Sequence, residues 1–86
     1  MRTIRFELEA YPGDDDGDTA ERAIVSEEDL PGPTEAKRFA GRLAAKIKGP
    51  VDLFYAGDEH PKERYITTAS PCQFAKTGYR MERLDG

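Results

Sequence analysis

The chain has 86 residues, a formal net charge of −4 and a single cysteine, a composition that excludes an intrachain disulfide. Its length predicts one domain over residues 1–86 with a small hydrophobic core. The longest uninterrupted apolar run, residues 53–56, is far shorter than the roughly 20 residues that cross a bilayer. No continuous apolar leader follows the N-terminus, so we expect a soluble cytoplasmic protein with no membrane contact.

The first predicted element is a strand over residues 2–11, in which apolar and polar side chains alternate with a period of two. Residues 12–18, PGDDDGD, predict a turn, because proline, glycine and aspartate favour turn conformations. This segment does not match the calcium-binding loop of an EF-hand, because Pro12 and Ala23 would occupy its first and last ligand positions. Residues 19–26 predict a second strand, paired with the first as a hairpin, and residues 26–34 predict a break.

An amphipathic helix is predicted from Thr34, the expected N-cap, to a stop at Gly49 and Pro50. Its apolar residues recur at helical spacing and form one face: Ala36, Phe39, Ala40, Leu43 and Ile47. Five basic residues cover the rest of its circumference: Lys37, Arg38, Arg42, Lys46 and Lys48. These cations form the candidate binding site.

Two further strands are predicted at residues 51–56, an interior strand, and at residues 64–69, with a polar loop between them. Residues 79–84 predict the closing strand. Before it, residues 70–78, SPCQFAKTG, favour a short helix, because Ser70 and Gln73 match a capping box. A hairpin turning at residues 76–78 is the alternative.

The resulting order, β-β-α-β-β-short α-β, predicts a single small α+β domain. Its sheet is mixed or antiparallel, has four or five strands, and carries the amphipathic helix on one face. This order resembles the β-grasp of ubiquitin-like domains, in which a short helix also precedes the last strand.

Cys72 lies in the first turn of the predicted short helix, where the helix dipole lowers a thiol pKa and favours a nucleophile. A nucleophile also needs a proton acceptor, and the spacing of the only histidine, His60, does not place it near the thiol. We therefore predict a buried, inert cysteine and keep thiol-dependent activity as an alternative. One histidine and one cysteine do not complete a zinc site, so no metal or cofactor is predicted.

The sequence contains no catalytic motif, and its charge is uneven. Residues 1–33 hold three basic and ten acidic side chains, whereas residues 34–86 hold ten basic and seven acidic ones. We therefore predict a small non-enzymatic protein–protein interaction module, either a stoichiometric inhibitor or an adaptor, that binds through the basic helix face. A core this small also leaves a homodimer open.

The alternative function is nucleic-acid binding through the same helix face. Additional contacts would come from Arg64, Arg80 and Arg83, with Tyr65 and Tyr79 as stacking groups. The acidic overall charge argues against this alternative, because nucleic-acid-binding domains are usually basic.

Overall fold

The computed structural model describes residues 2–12, 24–57 and 61–82, except for the side chains of Pro61, Lys62 and Glu82. Within these residues the elements are β1 (Ile4–Ala10), β2 (Ile24–Leu30), α1 (Pro33–Ile47), β3 (Val51–Tyr55), α2 (Pro61–Arg64), β4 (Tyr65–Pro71) and β5 (Tyr79–Glu82). The predicted α+β class is confirmed, with five strands in one sheet and α1 packed on it. The single-turn helix α2 occupies part of the predicted polar loop.

The sheet has the strand order β2-β1-β3-β4-β5, and every neighbouring pair is antiparallel. The last strand therefore lies at an edge, beside β4. In the β-grasp the last strand is central and lies beside the first, and a short helix precedes it, whereas here a loop precedes the last strand, so the resemblance is limited to the order of the strands and the long helix. The sheet face away from α1 is called the open face below.

The second strand extends further along the chain than predicted, and residues 19–23 of the predicted strand lie outside the described residues. It spans Ile24–Leu30 and pairs along its full length with β1, from Ile4 opposite Leu30 to Ala10 opposite Ile24. The prediction of a break from residue 26 was wrong because an edge strand can keep acidic side chains in solvent. The predicted turn lies mostly outside the described residues.

Helix α1 begins at Pro33, and its N-cap residue is Gly32, so no side chain caps the helix. Thr34 is therefore inside the helix, because proline is favoured at the first helical position, where a missing N–H costs nothing. The helix ends as predicted: Lys48 adopts the left-handed conformation and the Gly49 N–H donates to the Ala44 carbonyl at 3.2 Å. Small residues form its buried centre: Ala36, Ala40, Gly41 and Ala44.

The core lies between α1 and the sheet. Phe6 and Leu8 from β1 and Val51 and Leu53 from β3 are its largest fully buried side chains. The larger residues of the predicted helix face, Phe39, Leu43 and Ile47, are partly buried around this centre. Strand β3 is an interior strand, as predicted, because it pairs with β1 on one side and β4 on the other.

Residues 70–78 form a hairpin, and the short helix predicted there was wrong. Strand β4 continues through Pro71, which lies opposite Tyr79 of β5. The Cys72 N–H donates to the Gly78 carbonyl at 2.9 Å, and the Gly78 N–H donates to the Ala75 carbonyl at 3.0 Å. Gly78 has a φ of +89°, a conformation that glycine adopts without strain. The local capping signal is overridden because Ser70 and Pro71 pair with β5.

Candidate functional site

The outer face of α1 is cationic. All five predicted binding residues, Lys37, Arg38, Arg42, Lys46 and Lys48, are exposed, because the opposite side of the helix rests on the sheet. Within the described part of the chain, Arg38 alone among them forms an ion pair, with Glu35 at 3.6 Å. The structure thus brings the predicted residues together on one solvent-facing surface.

The loop between β4 and β5 lies beside the C-terminal half of this helix. The ring of Tyr79 occupies the space where a side chain at Gly41 would begin. If Gly78 had a Cβ atom, that atom would lie 3.5 Å from the Cβ atom of Ala45. The hairpin is therefore packed against α1 through Tyr79 and lies close to the helix at Gly78, and the loop's own hydrogen bonds hold its shape.

Phe74 lies on this loop and is 88% exposed, although it is a large apolar side chain. Beside it is a cleft of about 690 Å³ that is open to solvent. The residues that line the cleft are Ala45, Lys48, Pro71, Cys72, Gln73, Phe74 and Gly78. Sequence reasoning missed Phe74 because the predicted short helix gave it no role. The available signal was an aromatic residue among polar and turn-forming neighbours.

Cys72 lines the cleft and is half-buried rather than buried. No helix begins at this position, so the helix-terminus argument for a nucleophilic thiol does not apply. His60 lies outside the described residues. Among the residues that are described, no group of three histidine, cysteine, aspartate or glutamate side chains could hold a metal ion.

A different cluster lies on the open face of the sheet. The Arg64 guanidinium donates to Glu7 Oε1 at 3.1 Å and to the Tyr55 carbonyl at 3.2 Å, and it lies over the Phe54 ring, 5.7 Å from its centroid. The edge of the Tyr65 ring packs against the same phenyl ring at 5.6 Å between centroids. These contacts hold the side chains to one another, which is a structural role.

This cluster separates the residues predicted to contact nucleic acid. Tyr65 and Arg64 lie on the open face, whereas Tyr79 packs against Gly41 on the helix side. Arg80 alternates with Tyr79 along β5 and therefore lies on the open face, and Arg83 is outside the described residues. The described stacking and basic groups do not form one surface with the helix cations.

Acidic side chains of β1 and β2 lie on the open face: Glu7, Glu9, Glu27 and Asp29. Glu7 lies opposite Glu27 across the β1–β2 pair, and Arg5 donates to Asp29 Oδ1 at 3.0 Å. The hydrogen bond from Arg5 holds the pKa of the Asp29 carboxyl below its ordinary value. At the end of β1, the pKa of the Tyr11 hydroxyl is raised, mainly by burial and secondly by its hydrogen bond to Glu9. Among the described residues, the helix cations and these carboxylates lie on opposite sides of the molecule.

Comparison with known proteins gives no relative: no family model, curated protein or solved structure matches the chain. In the described residues, no helix has the length and apolar character needed to cross a membrane. The function is therefore inferred from the geometry above.

Proposed function

We propose that the protein is a non-catalytic protein-binding module, acting as an adaptor or a stoichiometric inhibitor. Its contact surface combines the outer face of α1 with the loop of residues 72–78. This helix–hairpin surface contains the five helix cations Lys37, Arg38, Arg42, Lys46 and Lys48, together with Phe74. The observation that carries the proposal is the 88% exposure of Phe74 on a loop held against this cationic helix.

An exposed phenyl ring is unfavourable for the isolated protein. It forgoes the roughly 1.5–3 kcal/mol that burial of such a side chain provides. Protein interfaces, in contrast, are enriched in aromatic residues and arginine, and a few such residues supply most of their binding energy. Phe74 lines the cleft with Lys48, and Arg42 is exposed on the same helix, so this surface contains both residue types.

The rigidity of the surface favours the same function. The hydrogen bond from Cys72 to Gly78 and the contact between Tyr79 and Gly41 fix the loop before any partner binds. Less conformational entropy is then lost on association, which leaves more of the contact energy as affinity.

Capture from a lysate of the source organism tests this function. The tagged protein is compared with the variants Arg38→Glu, Arg38→Glu/Arg42→Glu and Arg80→Glu; the last is a single charge reversal on the open face that matches Arg38→Glu. Each capture is repeated after nuclease treatment, and circular dichroism verifies that the variants fold. We expect one enriched protein that survives nuclease, is lost with the double variant and is retained with Arg80→Glu.

Two results would contradict the proposal. Equal capture by the wild type and the double variant would show that the helix cations are not in the interface. Enrichment that disappears with nuclease would assign the helix face to nucleic-acid binding, the second candidate.

A further inference from the structure

We infer that the cleft beside Phe74 receives an apolar side chain from an acidic segment of the partner protein. The inference rests on the proposed function, because it specifies the partner chemistry that the helix–hairpin surface recognises. Its basis is that the apolar cleft lies next to the cationic C-terminal end of α1.

The cleft has the size and lining of an anchor site. Its volume of about 690 Å³ lies within the roughly 300–1,000 Å³ of ligand pockets. Ala45, Pro71 and Phe74 contribute only carbon side chains to the lining. Because the cleft is open to solvent, it would leave much of a small molecule exposed, whereas a bound protein segment can cover its mouth while one of its side chains contacts the apolar lining.

The charges around the cleft select the residues that flank this anchor. Lys48 lines the cleft, Lys46 and Arg42 lie on the adjacent exposed helix face, and Lys76 is exposed on the loop itself. A segment that inserts an apolar side chain therefore places its neighbouring residues beside cations. Aspartate and glutamate at those positions form favourable pairs, and lysine or arginine there is repelled.

The same charges argue against a second copy of the chain on this surface. A symmetric dimer brings the same patch of both subunits together, so Lys46 and Lys48 of each copy would face the cations of the other. Like charges in an interface cost several kcal/mol. The homodimer left open by the sequence is therefore disfavoured through the helix–hairpin surface, and an acidic partner is favoured.

Synthetic peptides test the inference directly. The probe is a fluorescein-labelled ten-residue peptide of aspartate and glutamate with one central tryptophan, and binding is measured by fluorescence anisotropy at low salt. Its matched controls replace the tryptophan with alanine, or the acidic residues with lysine, and a twenty-nucleotide oligothymidine tests nucleic acid. We expect the tryptophan peptide to bind about tenfold more tightly than the alanine peptide, because one buried aromatic anchor dominates such contacts. The lysine peptide should not bind.

Three variants locate the anchor. Phe74→Ser removes an apolar lining residue, and Ala45→Glu places a carboxylate in the cleft; both should reduce the affinity of the tryptophan peptide to that of the alanine peptide. Val25→Ser is the matched control, because Val25 is also exposed, at 57%, but lies on β2. It should leave the affinity unchanged.

The inference is overturned if the tryptophan and alanine peptides bind equally, if neither binds, if Phe74→Ser has no effect, or if oligothymidine binds more tightly than the tryptophan peptide. Failure here is separable from failure of the proposed function. If peptide affinity does not depend on the tryptophan or on Phe74, but cellular capture still depends on Arg38 and Arg42, the proposed function stands without this anchor. If capture is insensitive to those arginines, the proposed function itself is wrong.

Discussion

The Tyr79 ring lies where the Cβ of a side chain at Gly41 would have to be. One residue comes from the middle of α1 and the other from the first position of β5. Their contact therefore sets the position of the β4–β5 loop relative to the helix cations. Without it, Phe74 and Lys48 would not belong to one fixed surface.

The first prediction concerns this contact. Gly41→Ala should destabilise the fold by about 1–2 kcal/mol in urea unfolding, because overpacking against the Tyr79 ring exceeds the roughly 1 kcal/mol that alanine gains in a helix. In a Tyr79→Ala background the ring is absent, so the same substitution should be neutral or stabilising. An equal loss in both backgrounds would show that the two residues do not compete for space.

The second prediction separates binding from folding at Phe74. Phe74→Ser should change the free energy of unfolding by no more than about 0.5 kcal/mol, because the ring is already in solvent. Phe6→Ala, at a fully buried phenylalanine, should cost about 3–5 kcal/mol. If Phe74→Ser instead costs more than about 1 kcal/mol, the ring has a packing role and its exposure is not an argument for binding.

The third prediction compares two arginines. The Arg64 side chain and its partner Glu7 are 12% and 20% exposed, whereas the Arg38 side chain is 59% exposed. Arg64→Ala should therefore cost about 1–3 kcal/mol, because it leaves a largely buried carboxylate without its donor and uncovers Phe54. Arg38→Ala should cost no more than about 0.5 kcal/mol. Equal losses would mean that burial does not distinguish the two ion pairs.

The fourth prediction concerns pH. The folded-state pKa of Asp29 is depressed, so its contribution to stability is present above the ordinary value of 3.8 and is lost as the pH falls through the folded pKa. Carboxyl NMR titration of Arg5→Gln should show the pKa of Asp29 rising towards the ordinary value, while Arg80→Gln leaves it unchanged. No rise in Arg5→Gln would exclude the Arg5 hydrogen bond as the cause of the depressed pKa.

Local patterns predicted much of the fold. Strand β1 and helix α1 follow from side-chain periodicity, because their burial repeats every two residues or every turn. Interior strand β3 follows from its apolar residues on both faces. The second half of β2 was missed because its acidic residues, Glu27 to Asp29, resemble a loop until pairing with β1 places them at an edge. The loop at 72–78 was mistaken for a helix because its capping signal is local, whereas its pairing with β5 involves residues farther along the chain.

The candidate site also has a part that local sequence patterns predict and a part that depends on tertiary packing. The helix cations could be predicted, since they are the complement of the apolar helix face. Three features could not be predicted: the exposure of Phe74, the cleft, and the contact of the Tyr79 ring with Gly41. Each depends on where the last hairpin packs against α1. That position is a property of tertiary packing and has no short sequence signature.

Carbodiimide cross-linking of the captured complex shows whether the partner lies on the helix–hairpin surface, because this zero-length reagent joins amines to carboxylates that lie in contact with them. The account predicts links from Lys46 or Lys48 to aspartate or glutamate residues of the partner, identified by mass spectrometry. Links found only between partner lysines and carboxylates of the sheet side, such as Glu27 and Asp29, would place the partner on the opposite side of the molecule and contradict the helix–hairpin surface.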